Sequence, residues 1–232
     1  MHIPALIFAR MDSSRLPGKA LKPLAGAPVL AWVLHRLSRS RELDGLVVCT
    51  SERTIDDPIT EVAERMKAGL FRGAAEDVLG RALSATQALN ADAVVRISGD
   101  SPFMDAHLVD AVVRRFRDCT PDIATNVHPR TYPSGMSVEV IATAALEKLD
   151  LAVSDPADRE HVTTHLYRHD DDFRIENVAA PVSLRDVDLA LDTEEDFIFQ
   201  SWLAGEVAAD AGLDTIVEAA RRYGAREKVT VT

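Results

Sequence analysis

The chain has 232 residues, 47% of them hydrophobic, which is enough for a sizeable core in one large domain or two small ones. Its formal net charge of −11 argues against a general binder of nucleic acid or of membrane surfaces, because either needs a basic face. No apolar run reaches membrane-spanning length and no charged leader precedes a long apolar stretch, so a cytoplasmic protein is expected.

Apolar runs alternate with helix-period segments through the first half. Ile3–Phe8 reads as a first strand, and Ala9–Lys19 (ARMDSSRLPGK) as the loop that leaves it. Pro28–Leu37 opens on proline and spaces its apolar residues as a helix. Leu46–Thr50 is a second strand. Asp57-Pro58 starts a helix that runs to about Lys67 and ends at Gly69. Leu70-Phe71 is a short strand, Glu76–Leu89 a helix, Ala93–Ser98 a further strand, and Asp105 caps a helix to about Asp118. This β-α-β-α series implies a mostly parallel sheet with right-handed crossovers. A strand near Asp122–Asn126 follows, then an alternating strand at Met136–Ile141 and helices from Thr143 and over Arg159–Arg168. Strands at Phe173–Val178 and Leu189–Leu191 precede two C-terminal helices. With no clear linker, a single α/β domain over 1–232 is expected, with an edge segment at about 128–180 that needs covering and so suits a homodimer contact. Cys49 and Cys119 lack metal-ligand spacing and read as buried free thiols.

The chemistry concentrates at Ala9–Lys19. Three cations (Arg10, Arg15, Lys19) and two hydroxyls (Ser13, Ser14) fall within eleven residues beside a Pro17-Gly18 turn signal. Open α/β sheets bind ligands at the carboxyl ends of their strands, and an oligophosphate suits this charge. The loop is neither a Walker A sequence, since Ala20 follows Lys19, nor a dinucleotide fingerprint. Side chains must therefore hold phosphate as much as backbone does. An exposed, merely solvated basic loop is the bland alternative.

Gly99-Asp100-Ser101-Pro102 ends a central strand, which aims Asp100 at the same crevice, either as a Mg²⁺ ligand or as a turn residue bonded to its own backbone. Asp192 ends another apolar stretch, either as a second metal ligand or as part of the helix-start box of Thr193 and Asp196. Tyr132-Pro133-Ser134-Gly135 and the strand carrying Ser137 and Glu139 could line a polar pocket. Glu139 could equally face water at an edge. Arg159, Glu160 and His161 open a helix, with a structural His161 the commoner outcome. Arg72-Gly73 could touch a base or phosphate, and Asp77 reads as a helix cap or first-turn acid.

Taken together these blocks resemble the cytidylyltransferases that make CMP-activated acid sugars, most nearly those of the spore coat polysaccharide biosynthesis protein F type. The likeness runs in order through Ala9–Lys19, Gly26-Ala27-Pro28, Arg72–Leu79, Val95–Pro102, Tyr132–Val140, Arg159–Thr163 and Asp192–Asp196, covering the chain to about residue 200. It implies a three-layer α/β/α nucleotidyltransferase fold of the glycosyltransferase-A, Rossmann-like kind. The implied reaction joins CTP to a sugar or acid sugar with release of pyrophosphate, using Mg²⁺, in surface polysaccharide synthesis. The resemblance assigns Arg10, Arg15 and Lys19 to the triphosphate, with Ala9, Ser13, Ser14 and Gly99 lining it. Asp100 and Asp192 take the metal, Arg72 and Asp77 lie near the nucleotide, and Tyr132, Glu139, Glu160 and His161 face the sugar. Arg10, Arg15, Lys19 and Asp100 form the implied catalytic set. Asp12 departs from the pattern by replacing a glycine, and Ser134 and Ser137 replace acids. Two alternatives stay open: a glycosyltransferase that consumes a nucleotide sugar, although no D-x-D stands near Asp100, and a nucleotide-binding protein without catalysis.

Overall fold

Alternate residues of the central strands are apolar on both sides, so both sheet faces must be covered. Ala5 and Ile7 of β1 (Ala5–Phe8) enter one core cluster, and Leu6 enters the other. A computed structural model describes residues 1–230, with side chains through residue 225. After β1 the chain forms a small hairpin, β2 (Pro23–Leu24) with β3 (Ala27–Pro28), and then α1 (Val29–Leu37). There follow β4 (Leu46–Ser51), α2 (Asp57–Arg65), β5 (Gly69–Gly73), α3 (Val78–Ala88), β6 (Ala93–Ser98) and α4 (Ala106–Cys119). The second half carries β7 (Ile123–Thr125), β8 (Glu139–Ala142), α5 (Thr143–Ala152), α6 (Pro156–His161), α7 (Thr164–Arg168), β9 (Ile175–Asn177), α8 (Glu194–Glu206) and α9 (Leu213–Thr230).

The main sheet has seven strands in the order β5-β4-β1-β6-β8-β7-β9. Only β8 runs against the others, pairing antiparallel with β6 and with β7. One face is covered by α1, α2, α4, α8 and α9, the other by α3, α5 and α7, which gives three α/β/α layers. Strand order reverses at β1, since β4 and β6 flank it on opposite sides. The chain therefore leaves β1 and β6 toward opposite edges of the sheet, which opens a crevice above their carboxyl ends, the usual ligand position of such sheets. No helix of the described residues is long and apolar enough to cross a membrane.

Local signals explain most helix boundaries. Pro58 stands in the first turn of α2, Asp105 caps α4 through the N–H groups of His107 and Leu108 (2.8 and 3.0 Å), and Thr193 with Asp196 forms a capping box on α8. Four expectations need correction. The strand foreseen from Met136 begins only at Glu139, because Asn126 takes up Met136 O and Val138 N with its side chain. Leu189–Leu191 forms no strand. It is held by Leu189 N–H donating to Ser134 O (3.0 Å) and by Gln200 donating to Leu189 O (2.9 Å). The single helix over Arg159–Arg168 is two, broken at Val162, whose φ of +57° makes a tight turn closed by Thr163 N–H to His161 O. Part of the expected edge segment is interior, since β8 inserts between β6 and β7 and leaves the edge to β9.

Candidate active site

The crevice above β1 and β6 is a cavity of about 350 Å³. Its floor exists because two strand tips approach closely at Gly99. A Cβ there would lie 2.8 Å from Ala9 Cβ and 2.9 Å from Phe8 O, so only glycine fits. The basic loop then folds back over this floor. Gly18 N–H donates to Met11 O (2.8 Å), and Met11 N–H donates to the buried carboxylate of Asp56 (2.7 Å). Ala9, Arg10, Ser13, Ser14, Arg15 and Lys19 all line the cavity.

Lys19 is the centre of the charge arrangement. Its ammonium contacts the Asp100 carboxylate and lies 2.9 Å from Asp192 Oδ1, while also donating to Leu191 O (2.7 Å). Two carboxylates 92 positions apart in the chain thus meet at one cation. Burial opposes that charge, but Asp100 and then Asp192 outweigh it and hold the Lys19 pKa above the ordinary lysine value. Arg15 pairs with Asp192 at 2.9 Å, and Arg10 with Glu160 at 2.5 Å. His161 joins Glu160 at the exposed rim.

Asp192 arrives through a second glycine. Gly135 has φ +78°, and a Cβ on it would sit 2.2 Å from Leu189 O. The Tyr132–Gly135 motif thus receives the backbone that leads into Asp192. Capping of α8 falls to Thr193 and Asp196, which leaves the Asp192 carboxylate for the cavity.

Four residues read from the sequence as site candidates lie outside the cavity lining. The Arg72 guanidinium braces the carbonyls of Ser51 and Arg53 (2.9 Å each) and pairs with Asp57 at 2.8 Å. Asp77 caps α3 by accepting from Gly80 N–H and takes both forks of Arg159 at 2.9 and 2.8 Å. Burial would raise the Asp77 pKa, but Arg159 and the Gly80 N–H prevail and hold it below the usual carboxylate range. Tyr132 is nearly buried and lines a different hollow with Asp105 and Leu213. Glu139 neither faces water at an edge nor lines the cavity. It is 3% exposed on the interior strand β8, where Oε2 accepts from Arg96 (2.6 Å) and Oε1 from Thr163 (2.8 Å) and Tyr167 (2.7 Å).

Arg81, Arg96 and Ser98 line the cavity without having been singled out from sequence. One signal was available for Arg96. It is the lone charge in the apolar strand AVVRIS, as Glu139 is in MSVEVI, and two such charges in neighbouring strands call for each other. Asp12, the departure in the basic loop, turns away toward Arg53 (2.6 Å) and lies 3.4 Å from Arg10 Nε.

The cytidylyltransferase family model matches residues 4–204. The chain belongs to the cytidylyltransferase family. It is 31% identical over 199 residues to the spore coat polysaccharide biosynthesis protein SpsF of Bacillus subtilis, a match that covers 83% of this chain and 82% of that one. A solved cytidylyltransferase of Leptospira borgpetersenii superposes with a TM-score of 0.93 at 31% identity, covering 97% of this chain and 96% of that one. A CMP:2-keto-3-deoxy-manno-octonic acid synthetase, solved with CTP, shares the fold with a TM-score of 0.70 at 16% identity, over 89% of this chain and 100% of that one. This cytidylyltransferase is thus a nucleotidyltransferase with the α/β architecture expected from its sequence. That membership sets aside the glycosyltransferase alternative.

Proposed function

We propose that the protein transfers CMP from CTP to a hydroxyl of a sugar or acid sugar, releasing pyrophosphate, in the synthesis of a surface polysaccharide. The observation that carries this reading is the meeting of Lys19, Asp100 and Asp192 at the cavity floor. Arg10, Arg15 and Lys19 bind the triphosphate oxygens and place the α-phosphorus over the tips of β1 and β6. The acceptor hydroxyl oxygen, its proton passing to solvent, forms its bond to that phosphorus as the bond to the pyrophosphate oxygen breaks, in line and without a covalent enzyme intermediate. Catalysis is then positioning plus charge stabilisation by the three cations.

The donor set fits Mg²⁺. Asp100 and Asp192 already converge on one positive charge, and no group of three or more His, Cys, Asp or Glu forms a metal cluster among the described residues. Mg²⁺ favours that situation, one or two carboxylates completed by substrate phosphates and water. When bound, it would offset phosphate charge. Lys19 would then exchange its carboxylates for phosphate oxygens.

Pyrophosphate release from CTP with a panel of sugars and acid sugars tests the reading. Lys19→Ala and Asp100→Asn should each lower turnover by about 100- to 1,000-fold, the scale for removing one preorganised charge contact. Undiminished turnover in either variant removes the site assignment. Binding of CTP without pyrophosphate release for any acceptor would make the chain a nucleotide-binding protein instead.

A further inference from the structure

In the proposed reaction the acceptor hydroxyl loses its proton as its oxygen bonds to phosphorus. A side chain that takes this proton needs a free lone pair and some basicity at neutral pH. Few groups on the cavity wall qualify. Its three carboxylates are all engaged by cations: Asp100 by Lys19, Asp192 by Lys19 and Arg15, and Glu160 by Arg10. The guanidinium groups of Arg81 and Arg96 are donors only. The remaining polar side chains of the wall are serine hydroxyls, which are not basic, and His161. Just off the cavity, Asp77 of α3 is held by Arg159 and Asp158 of α6 by Arg168.

His161 is the last residue of α6 and is exposed, and its ring has no hydrogen bond, ion pair or ring contact among the described residues. Other histidines of this half of the chain are committed elsewhere. His128 lies 3.3 Å from the Asp170 carboxylate and stacks on Tyr167, and His165 stacks on His169. Imidazole is also the side chain whose ordinary pKa stands nearest neutrality, so it can accept a proton and give it up again.

The backbone beside His161 is strained. Val162 is fully buried in the core that holds Leu146 and Leu166, yet it adopts φ +57° and ψ −59°, a γ-turn conformation that β-branched residues avoid. Thr163 N–H closes the turn on His161 O (2.6 Å), and the Thr163 hydroxyl donates to Glu139 on the interior strand β8 (2.8 Å). Such conformations persist only where the surroundings over-determine them, and they cluster at sites of function. Here the turn stops α6 at His161 and fastens the next two residues to the core, so the free imidazole stands at the cavity rim on an anchored segment.

We propose that His161 is the general base of the reaction. Its imidazole accepts the proton of the acceptor hydroxyl as that oxygen bonds to the α-phosphorus, pyrophosphate leaves with the electron pair of the broken P–O bond, and the imidazolium then returns the proton to solvent at the rim. Once the triphosphate takes Arg10, the Glu160 carboxylate is left without its cation. A carboxylate is a weak base at neutral pH, but its charge favours the imidazolium that forms next to it. The inference rests on the proposed reaction and supplies its proton acceptor.

The test is single-turnover pyrophosphate release by the full chain with CTP and Mg²⁺, using 3-deoxy-manno-octulosonate, N-acetylneuraminate or a neutral hexose, whichever the wild type accepts. His161→Gln should slow release about 100- to 10,000-fold, the range for one general base. CTP affinity by calorimetry and the melting temperature should stay at their wild-type values, because the ring holds nothing in the fold. A base accepts a proton only while it is unprotonated. The ratio of wild-type to variant rates should therefore be largest near neutral pH and shrink toward one as the solution is acidified. A structural role would give a ratio that does not move with pH. A variant as fast as wild type, a loss confined to CTP affinity, or a ratio constant with pH overturns the role of His161 and leaves the proposed reaction standing. A wild type that releases no pyrophosphate with any of these acceptors overturns the proposed reaction, and the inference falls with it.

Discussion

Two groups of charges flank one cavity and are built in opposite ways. The outer group, Lys19 with Asp100 and Asp192, Arg15 with Asp192, and Arg10 with Glu160, is reached by solvent unevenly: Arg15 is 65% exposed and Asp192 30%, while Lys19 is 13% exposed and Asp100 23%. The inner group is Arg96 on Glu139, which is 3% exposed and has hydrogen bonds on both of its oxygens. The exposed pairs of the outer group contribute little to stability, because water and salt screen them, and Lys19 faces two carboxylates, so losing one does not strand it. Such pairs can be exchanged for ligand phosphates at small cost. A pair of the inner kind cannot be opened without stranding a buried charge. The outer group is therefore suited to trading partners during a reaction, and the inner group to holding one donor in place.

The largest effect expected from this contrast is on stability. Glu139→Ala leaves the Arg96 charge without its partner and removes the acceptor for the Thr163 and Tyr167 hydroxyls. The cost should be about 1–3 kcal/mol, the range for leaving buried donors without an acceptor, because the Arg96 left behind is itself 27% exposed. Asp100→Ala, in the outer group, should cost less, because Lys19 keeps Asp192 and the Leu191 carbonyl as partners. Equilibrium urea unfolding of both variants measures the difference. Equal losses would erase the distinction between the two groups. Tyr167 adds a check, since burial and then the Glu139 carboxylate push its phenol well above the ordinary tyrosine value. In Glu139→Ala the second of these influences is gone, and the phenol should ionise at lower pH in an absorbance titration.

Much of the outer group was legible in the sequence because its cations are local and its carboxylates stand beside recognisable signals. Three cations crowd one loop, Asp100 follows an apolar run that could only be a strand, and the position of strand tips in an open α/β sheet says where both must point. The inner group was not legible, because its geometry depends on which strands become neighbours. Glu139 looks like a water-facing edge residue until β8 is known to insert between β6 and β7. The break at Val162 had no signal either. No glycine or proline marks it, and a buried β-branched residue at φ +57° is held there by its surroundings. That turn is what lets Glu160 and His161 reach the cavity rim while Thr163 reaches Glu139.

Gly135 connects the fold to the outer group, and its substitution should rank next. In Gly135→Ala a Cβ would collide with the Leu189 backbone, and alanine would have to adopt φ +78°. A destabilisation of about 1–3 kcal/mol is expected from the backbone conformation alone. Because the backbone of Leu189 leads directly to Asp192, CTP affinity in the presence of Mg²⁺ should fall as well. Calorimetry at a temperature where the variant is fully folded separates the two effects. A folded Gly135→Ala protein that binds CTP with wild-type affinity would show that Gly135 serves the fold and does not place Asp192.

The smallest effect concerns Asp12, the one acid in the basic loop. Burial would raise its pKa, but the hydrogen bond from Arg53 and the charges of Arg10 and Arg53 prevail and hold it below the usual carboxylate range. It is therefore ionised at neutral pH and, on the proposed reaction, would compete with phosphate for Arg10. Asp12→Gly should tighten CTP binding about two- to fivefold, the scale of an exposed ion pair, and the gain should shrink as salt is added. The sign with pH follows from the lowered pKa. The competition persists through neutral and mildly acidic solution and fades only as pH falls through that pKa, so the two proteins should converge in acid. Weaker CTP binding by Asp12→Gly would reverse the role. Asp12 would then be aiming Arg10 at the triphosphate, and the outer group would be less free to exchange partners than its exposure suggests.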